Sequence, residues 1–144
     1  MASPILTLGR ALMTLGNIFV SAGSIAADYN KTHVFNERWP PHARFHNGQT
    51  MTLSVLLSGM SMYLLYRSSF AFSSSAINPK DSVFLAAIIG SFYCAAGTSA
   101  IFYPGTAWKD PEFNTGEAQK FVFPGQVALM WVGYALEMRR LGNI

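Results

Sequence analysis

The stretch Ser82-Val-Phe-Leu-Ala-Ala-Ile-Ile-Gly-Ser-Phe-Tyr-Cys-Ala-Ala-Gly-Thr-Ser-Ala-Ile-Phe-Tyr103 contains 22 residues and no charged side chain. An α-helix that crosses the hydrocarbon core of a bilayer needs about 20 such residues. Three further apolar segments of similar length cover residues 11–27, 48–66 and 121–138. Backbone polar groups in hydrocarbon must be satisfied within the segment, so helices are the expected form. With short connections, the sequence predicts an all-α, up-down-up-down, four-helix transmembrane bundle that forms one domain over residues 1–144.

The composition also indicates a membrane protein. Hydrophobic residues make up 51% of the chain and charged residues only 12%, about half of the charged share of a typical soluble domain. The formal net charge is +3 and the basic residues form no run, so we predict no nucleic-acid partner. The single cysteine, Cys94, excludes an intrachain disulfide and a multi-cysteine metal site.

If all four segments cross the membrane, the chain has two chemically different sides. The N-terminus, residues 67–81 and the C-terminus share one side, called side A; residues 28–47 and 104–120 lie on the other, called side B. Five basic residues fall on each side, so the positive-inside rule does not decide the orientation. Five of the seven acidic residues and all three histidines fall on side B. We therefore expect the chemistry on side B.

Two of the predicted helices carry polar residues at a spacing that places them on one face. The first stripe contains Asn17, Ser21, Ser24 and Asp28, and the second contains His46, Thr50, Ser54, Ser58 and Ser61. Small hydroxyl side chains are ordinary packing and hydrogen-bonding residues between membrane helices. An amide or carboxylate facing lipid is costly, however. We therefore predict that the two stripes face each other inside the bundle.

The densest cluster of ionisable residues is His33-Val-Phe-Asn-Glu-Arg-Trp-Pro-Pro-His42-Ala-Arg-Phe-His46, with Asp28 just upstream. Proline is tolerated in a first helical turn, so a helix that begins near Pro41 places His42 and His46 one turn apart. A carboxylate beside an imidazole is typical of general acid–base chemistry. Asp28 would orient His33, His42 or His46 for this role.

In the same interpretation, Arg38 or Arg44 would stabilise an oxyanion that develops on the substrate. Two alternatives stay open. His42 and His46 have the spacing of a divalent metal pair that Asp28 or His33 could complete, but an isolated pair is a weak pattern, and we predict no metal or other cofactor. The cluster could also anchor the loops at the membrane interface and bind lipid headgroups.

Aromatic and amide side chains provide candidate substrate-binding residues. An interfacial aromatic belt accounts for many of the aromatic residues on side B, and the alternative is a vestibule for a large apolar ligand. The candidates are Asn17, Trp39, Tyr103, Trp108, Gln126 and Trp131.

The segment Asp28-Tyr-Asn-Lys-Thr-His-Val-Phe-Asn-Glu-Arg-Trp-Pro-Pro-His-Ala-Arg-Phe-His46 resembles the signature of a largely uncharacterised family of small four-span membrane proteins. These occur mainly in fungi, and the resemblance extends over most of the chain, including Tyr103-Pro-Gly and Asp110-Pro-Glu. The family pattern has proline where this chain has Glu37, which alters the expected turn before Trp39. Some fungal members look like components of natural-product gene clusters. The resemblance therefore implies a cyclase or isomerase role, sometimes within a hetero-oligomer.

The leading hypothesis is a membrane-embedded acid–base catalyst, or a subunit of one, that acts on a bulky lipophilic natural-product intermediate. Its expected partners are that substrate, the lipid bilayer and other membrane-protein subunits, and its predicted location is the endoplasmic reticulum. The main alternative is a non-catalytic scaffold subunit of a hetero-oligomeric membrane complex. A weaker alternative is metal-dependent oxidation.

Overall fold

The computed structural model describes residues 5–70, 77–114 and 116–142, and within these ranges the chain forms four helices. They are α1 (Leu8–Asp28), α2 (Pro41–Phe70), α3 (Pro79–Ala100) and α4 (Gln119–Gly142). Each helix packs against the next, α4 returns to α1, and α1 and α3 touch only weakly across the diagonal. The predicted all-α, antiparallel four-helix bundle is confirmed. The third predicted segment extends three residues too far, because the chain turns after Ala100.

Three of the helices, α1, α3 and α4, are long and apolar enough to cross a membrane. The chain is therefore an integral membrane protein. Helix α2, which contains the predicted span 48–66, does not reach the same hydropathy because it contains the second polar stripe. Its polar residues Asn47, Ser54, Ser58 and Ser61 are buried inside the bundle, and its apolar residues Leu53, Val55, Leu56, Met60 and Tyr63 are exposed on the outside.

At side A the backbones of α1 and α4 lie in direct contact. A Cβ atom added to Gly9 would lie 2.5 Å from the carbonyl oxygen of Gly133, and one added to Gly133 would lie 2.8 Å from the carbonyl oxygen of Gly9. About two turns further along α1, Gly16 packs against the sulfur of Met130. Small residues permit this close approach, as is common between membrane helices.

A buried ion cluster joins α1 and α4 beside this glycine contact. Arg10 and Glu137 are 3% and 0% exposed, and Arg10 Nε lies 3.1 Å from Glu137 Oε1. The Glu137 carboxylate also accepts hydrogen bonds from Thr7 Oγ1 at 2.5 Å and from Arg140 Nη2 at 2.7 Å. In the sequence, Arg10 and Glu137 are simply two of the charged residues of side A. The structure shows that they fasten the two ends of the chain together.

Candidate acid–base site at side B

Asp28 is the last residue of α1, and its two carboxylate oxygens have different partners. Oδ1 lies 3.7 Å from His33 Nε2. Oδ2 accepts a 2.9 Å hydrogen bond from Asn47 Nδ2, which comes from the first part of α2. Asp28 and His33 are both half-buried, whereas Asn47 is buried. The carboxylate is thus held by α2 on one edge and faces an imidazole on the other.

The loop after α1 is folded back by Asn30. Its Oδ1 accepts hydrogen bonds from the Thr32 backbone N–H at 2.7 Å and from Thr32 Oγ1 at 2.6 Å. Its Nδ2 donates to the carbonyl oxygen of Ala27 at 2.6 Å. An asparagine that binds the backbone two residues ahead forms a local turn. This turn brings His33 over the carboxyl end of α1, where Asp28 lies.

These contacts determine which nitrogen of His33 carries a proton when the ring is neutral. Asn30 Oδ1 can only accept, so the Thr32 hydroxyl proton points towards Asn30. Thr32 Oγ1 must then accept the 2.7 Å hydrogen bond from His33 Nδ1. The network therefore assigns the proton to Nδ1 and leaves the Nε2 lone pair towards Asp28. A proton taken up by Nε2 forms an imidazolium beside a carboxylate.

This pair lies in the wall of a cavity of about 670 Å³ between α1, α3 and α4. That volume falls within the roughly 300–1,000 Å³ of typical small-molecule sites. The polar lining residues at the side B end are Asp28, Asn30, Thr32, His33, Thr106 and Gln119, and Ser24 lies one turn deeper. The apolar part of the lining includes Phe19, Val20, Tyr93, Cys94, Gly97 and Phe123. The cavity is therefore polar at its side B end and apolar towards the middle of the bundle.

The start of α4 adds an exposed ion pair at the polar end. Lys120 donates a hydrogen bond to Glu117, and this bond lowers the pKa of the Glu117 carboxyl below its ordinary value. Residues 116, 118 and 119 line the cavity. An ionised, solvated pair therefore marks the aqueous margin of the site.

His42 and His46 do not line this cavity. Their Nε2 atoms are 3.0 Å apart, so the predicted one-turn spacing is present. Both residues are exposed on α2, and His46 Nδ1 also bonds to Gln49 Oε1 at 3.1 Å. Of the three histidines offered as partners for Asp28, it is His33 that lies beside it.

The two predicted arginines hold loops in this structure. Arg44 Nη2 donates to the carbonyl oxygen of Asn36 at 2.7 Å. Arg38 is 73% exposed and lies 3.4 Å from Glu112 Oε1.

The predicted binding residues are dispersed. Trp108 lines the cavity. Trp39 stands edge-on to His33 with ring centroids 5.3 Å apart, and its Nε1 donates to Asp110 at 3.4 Å. Tyr103 is exposed, and Trp131 packs edge-on against Tyr134 of its own helix.

The remaining predicted binding residues, Asn17 and Gln126, lie in the core of the bundle. Asn17 Nδ2 donates to Ser61 Oγ at 2.9 Å and to the Met13 carbonyl oxygen at 3.0 Å. Gln126 Nε2 donates to the Gly90 carbonyl oxygen at 3.2 Å. Within the described residues, the side-chain carbonyl oxygens of Asn17 and Gln126 have no hydrogen-bond partner.

The two polar stripes face each other as predicted over most of their length. Asn17 bonds to Ser61 at 2.9 Å and Ser24 to Ser54 at 2.5 Å. At side B, however, the buried face of α2 passes through Asn47 rather than His46 or Thr50. Asn47, which the predicted stripe did not include, lies 14 residues before Ser61 and within about 40° of it on an ideal helix.

A search of the described ranges finds no group of three or more His, Cys, Asp or Glu side chains placed to hold a metal ion. A comparison with protein families gives one match, the sequence profile of DUF6640, described as a family of unknown function, over residues 12–143. Neither the curated proteins nor the solved structures contain a match to the chain.

Proposed function

The chain belongs to DUF6640, and because the function of that family is unknown, we propose from the site itself that the protein is a membrane-embedded acid–base catalyst for a bulky lipophilic substrate. The observation that carries this proposal is the Asp28–His33 pair, 3.7 Å apart, in the wall of a cavity of about 670 Å³. A positioned imidazole with an orienting carboxylate contributes roughly 10²–10⁴-fold to a proton-transfer step.

The proposed chemistry moves a proton without an external oxidant or reductant. Neutral His33 accepts a proton from the substrate at Nε2, which carries no proton because Nδ1 donates to Thr32. Since Nε2 lies 3.7 Å from Asp28 Oδ1, the acidic substrate atom has to enter beside both groups. The Asp28 carboxylate stabilises the imidazolium that forms. The imidazolium exchanges its N–H hydrogen with water at the polar end of the cavity, and returning a hydrogen from Nε2 to another substrate atom completes an isomerisation or a cyclisation. Returning it to a departing hydroxyl group releases water and completes a dehydration.

Two features of the surroundings suit this role. Asn47 donates to Asp28 Oδ2 at 2.9 Å and so keeps the other oxygen towards His33. Trp39 packs against the edge of the His33 ring, which restricts its rotation. The catalytic pair is therefore preorganised by α2 and by the loop that precedes it.

We also propose that α2 crosses the bilayer with the other three helices, and that the membrane is that of the endoplasmic reticulum. The support for a fourth span is the distribution of α2 side chains, with serines inside and residues such as Leu56 and Tyr63 outside. Glycosylation-site mapping of inserted acceptor sequences tests the topology. Fluorescent fusions with an endoplasmic-reticulum marker test the location.

The test of catalysis uses hydrogen exchange, because the substrate is not identified. Purified protein is incubated in D₂O with a total lipid extract of the source cells, and the lipids are analysed by mass spectrometry. The wild type is expected to produce a compound that has gained deuterium. Asp28→Asn and His33→Asn are expected to reduce its rate by at least about 100-fold, whereas Asp81→Asn, an exposed side A control, leaves it unchanged.

The histidine pair on α2 is tested in the same assay. With His33 as the base, the His42→Asn/His46→Asn double variant retains most of the activity. Full activity in both Asp28→Asn and His33→Asn would overturn the proposal. If these two variants altered only co-purification with other membrane proteins, the scaffold alternative would replace it.

A further inference from the structure

Part of the cavity lining lies at the outer surface of α1 and α4. These helices touch through Gly9 and Gly133 at side A, but towards side B the cavity separates them. Phe19 on α1 and Val122 on α4 both line the cavity and are 54% and 37% exposed. Both belong to helices long and apolar enough to span the membrane. Phe19 lies near the middle of α1, so its exposed surface faces hydrocarbon, whereas Val122 lies close to the interface, two residues after Lys120.

Gly23 lies on α1 between Phe19 and Asp28 and keeps this side of the cavity wide. It lines the cavity, and a Cβ atom added to it would meet nothing within 4 Å. The opposite wall is closed, because the Phe123 ring would lie 2.6 Å from a Cβ atom added to Gly97 on α3. Phe123 thus closes the wall between α3 and α4 at Gly97, whereas at Gly23 the α1 side of the cavity carries no side chain that would close it.

The polarity of the lining defines what would fit inside. Asp28 and His33 mark the polar end, and Phe19 lies nine residues before Asp28, about 13 Å deeper along the helix. Cys94 and Tyr93 line the apolar part. A ligand that matches this gradient has one polar end at the level of the membrane interface and an apolar body that extends towards the bilayer centre.

We propose that the ligand is a membrane-dissolved amphiphile with a single polar end, and that it reaches the cavity sideways from the side B leaflet through an opening between α1 and α4. This inference rests on the proposed function only in identifying the ligand as its substrate. The lateral route is a property of the fold and can be tested without catalysis.

Cys94 provides the reporter, because it is the single cysteine of the chain and lines the cavity. Full-length protein in phosphatidylcholine vesicles is treated with N-hexadecylmaleimide, which dissolves in the bilayer, or with a sulfonated maleimide, which does not. Modification is followed by intact-protein mass spectrometry. Gly23→Leu narrows the opening, and Gly59→Leu on α2, where an added Cβ also meets nothing within 4 Å, is the matched control.

We expect N-hexadecylmaleimide to modify Cys94 in the wild type and in Gly59→Leu at equal rates. Gly23→Leu is expected to slow that reaction about tenfold or more, and the sulfonated reagent to react at least about tenfold more slowly than the lipid-soluble one in the wild type. Equal rates for both reagents, with no effect of Gly23→Leu, would establish an aqueous route and overturn the inference. So would failure of N-hexadecylmaleimide to modify the folded protein while it modifies the chain in sodium dodecyl sulfate.

The two proposals fail separately. If the labelling results are as expected and Asp28→Asn retains full deuterium transfer, the lateral cavity stands and the catalytic role falls. If Asp28→Asn abolishes deuterium transfer and Gly23→Leu has no effect on labelling, the catalyst stands and its substrate arrives by another path.

Discussion

Glu137→Gln is expected to lower the free energy of unfolding by about 3 kcal/mol, the lower end of the range for removing one partner of a buried ion pair. Glu137 is fully buried and Arg10 is 3% exposed. The substitution removes the negative charge that lies 3.1 Å from Arg10 Nε. Arg10 would keep its hydrogen bonds to the Ile5 carbonyl oxygen and to Ser69 Oγ, which is why the lower end of the range applies.

The matched control is Glu112→Gln. Glu112 pairs with Arg38 at 3.4 Å, but the two side chains are 30% and 73% exposed. Exposed pairs contribute about 0–1 kcal/mol, so this variant should unfold almost like the wild type. The measurement is reversible unfolding in mixed micelles with increasing sodium dodecyl sulfate, followed by circular dichroism. If Glu137→Gln and Glu112→Gln both lowered the free energy of unfolding by the same small amount, burial would not be the reason that the Arg10–Glu137 pair stabilises the fold.

A double variant separates the charge from the packing. Arg10→Met/Glu137→Leu removes both charges and fills the site with apolar side chains, an exchange that is often neutral for buried pairs. The double variant should therefore unfold at a higher sodium dodecyl sulfate concentration than the Glu137→Gln single variant. If the double variant were less stable than Glu137→Gln, the cluster would act through its hydrogen-bond geometry rather than through charge compensation.

Two further predictions use the same unfolding measurement. Gly9→Leu should lower the free energy of unfolding by about 1–3 kcal/mol or more through overpacking, because its Cβ would lie 2.5 Å from the Gly133 carbonyl oxygen. Gly59→Leu places its side chain in open space and should not lower the free energy of unfolding. Equal stability of the two variants would contradict the close contact. Asn17→Leu should change stability by less than about 1 kcal/mol, since hydrogen bonds between membrane helices average about 0.6 kcal/mol and the variant also removes an unpartnered oxygen. A loss above about 3 kcal/mol would show that Asn17 organises the core.

The four helices could be predicted because the thickness of hydrocarbon fixes the length of an apolar helix. The error at the end of the third segment has a local cause. Residues 101–103 continue the apolar run, but Tyr103 precedes Pro104, and a residue before proline disfavours helical geometry. Apolarity therefore extended beyond the helix, which ends at Ala100.

The sequence limits the histidine partner of Asp28 to three candidates, His33, His42 and His46, but does not choose among them. The choice depends on the rotation of α2 about its axis, and polar residues at both 46 and 47 made two rotations possible. In the structure Asn47 faces inward, so His46, about 100° away around the helix, faces out. The selection of His33 depends on the Asn30 turn, whose hydrogen bonds join residues 27, 30 and 32. An asparagine in a loop is compatible with several local conformations, so the sequence alone does not specify this turn.

The number of charged residues on each side of the membrane does not reveal which of them form ion pairs, as the Arg10–Glu137 pair shows. Both residues belong to side A, but the sequence alone does not connect them, because they lie at opposite ends of the chain. The contact depends on the crossing of α1 and α4, which Gly9 and Gly133 permit by bringing the backbones together. Glycine pairs on non-consecutive helices carry little signal in a single sequence, since each glycine alone is compatible with many neighbours.

The ion cluster and the cavity are two consequences of one helix crossing. Helices α1 and α4 touch through glycines at side A, and beyond Gly16 residues of both helices line the cavity. At side A the Glu137 carboxylate binds Arg10 and Arg140 and holds the contact closed. At side B the same two helices are separated by the cavity that contains Asp28 in its wall. A variant that loosens the side A cluster should therefore change the rate at which N-hexadecylmaleimide reaches Cys94, even though the substitution lies at the far end of the bundle. No change in that rate in folded Glu137→Gln protein would show that the opening is set locally, by Gly23 and its neighbours.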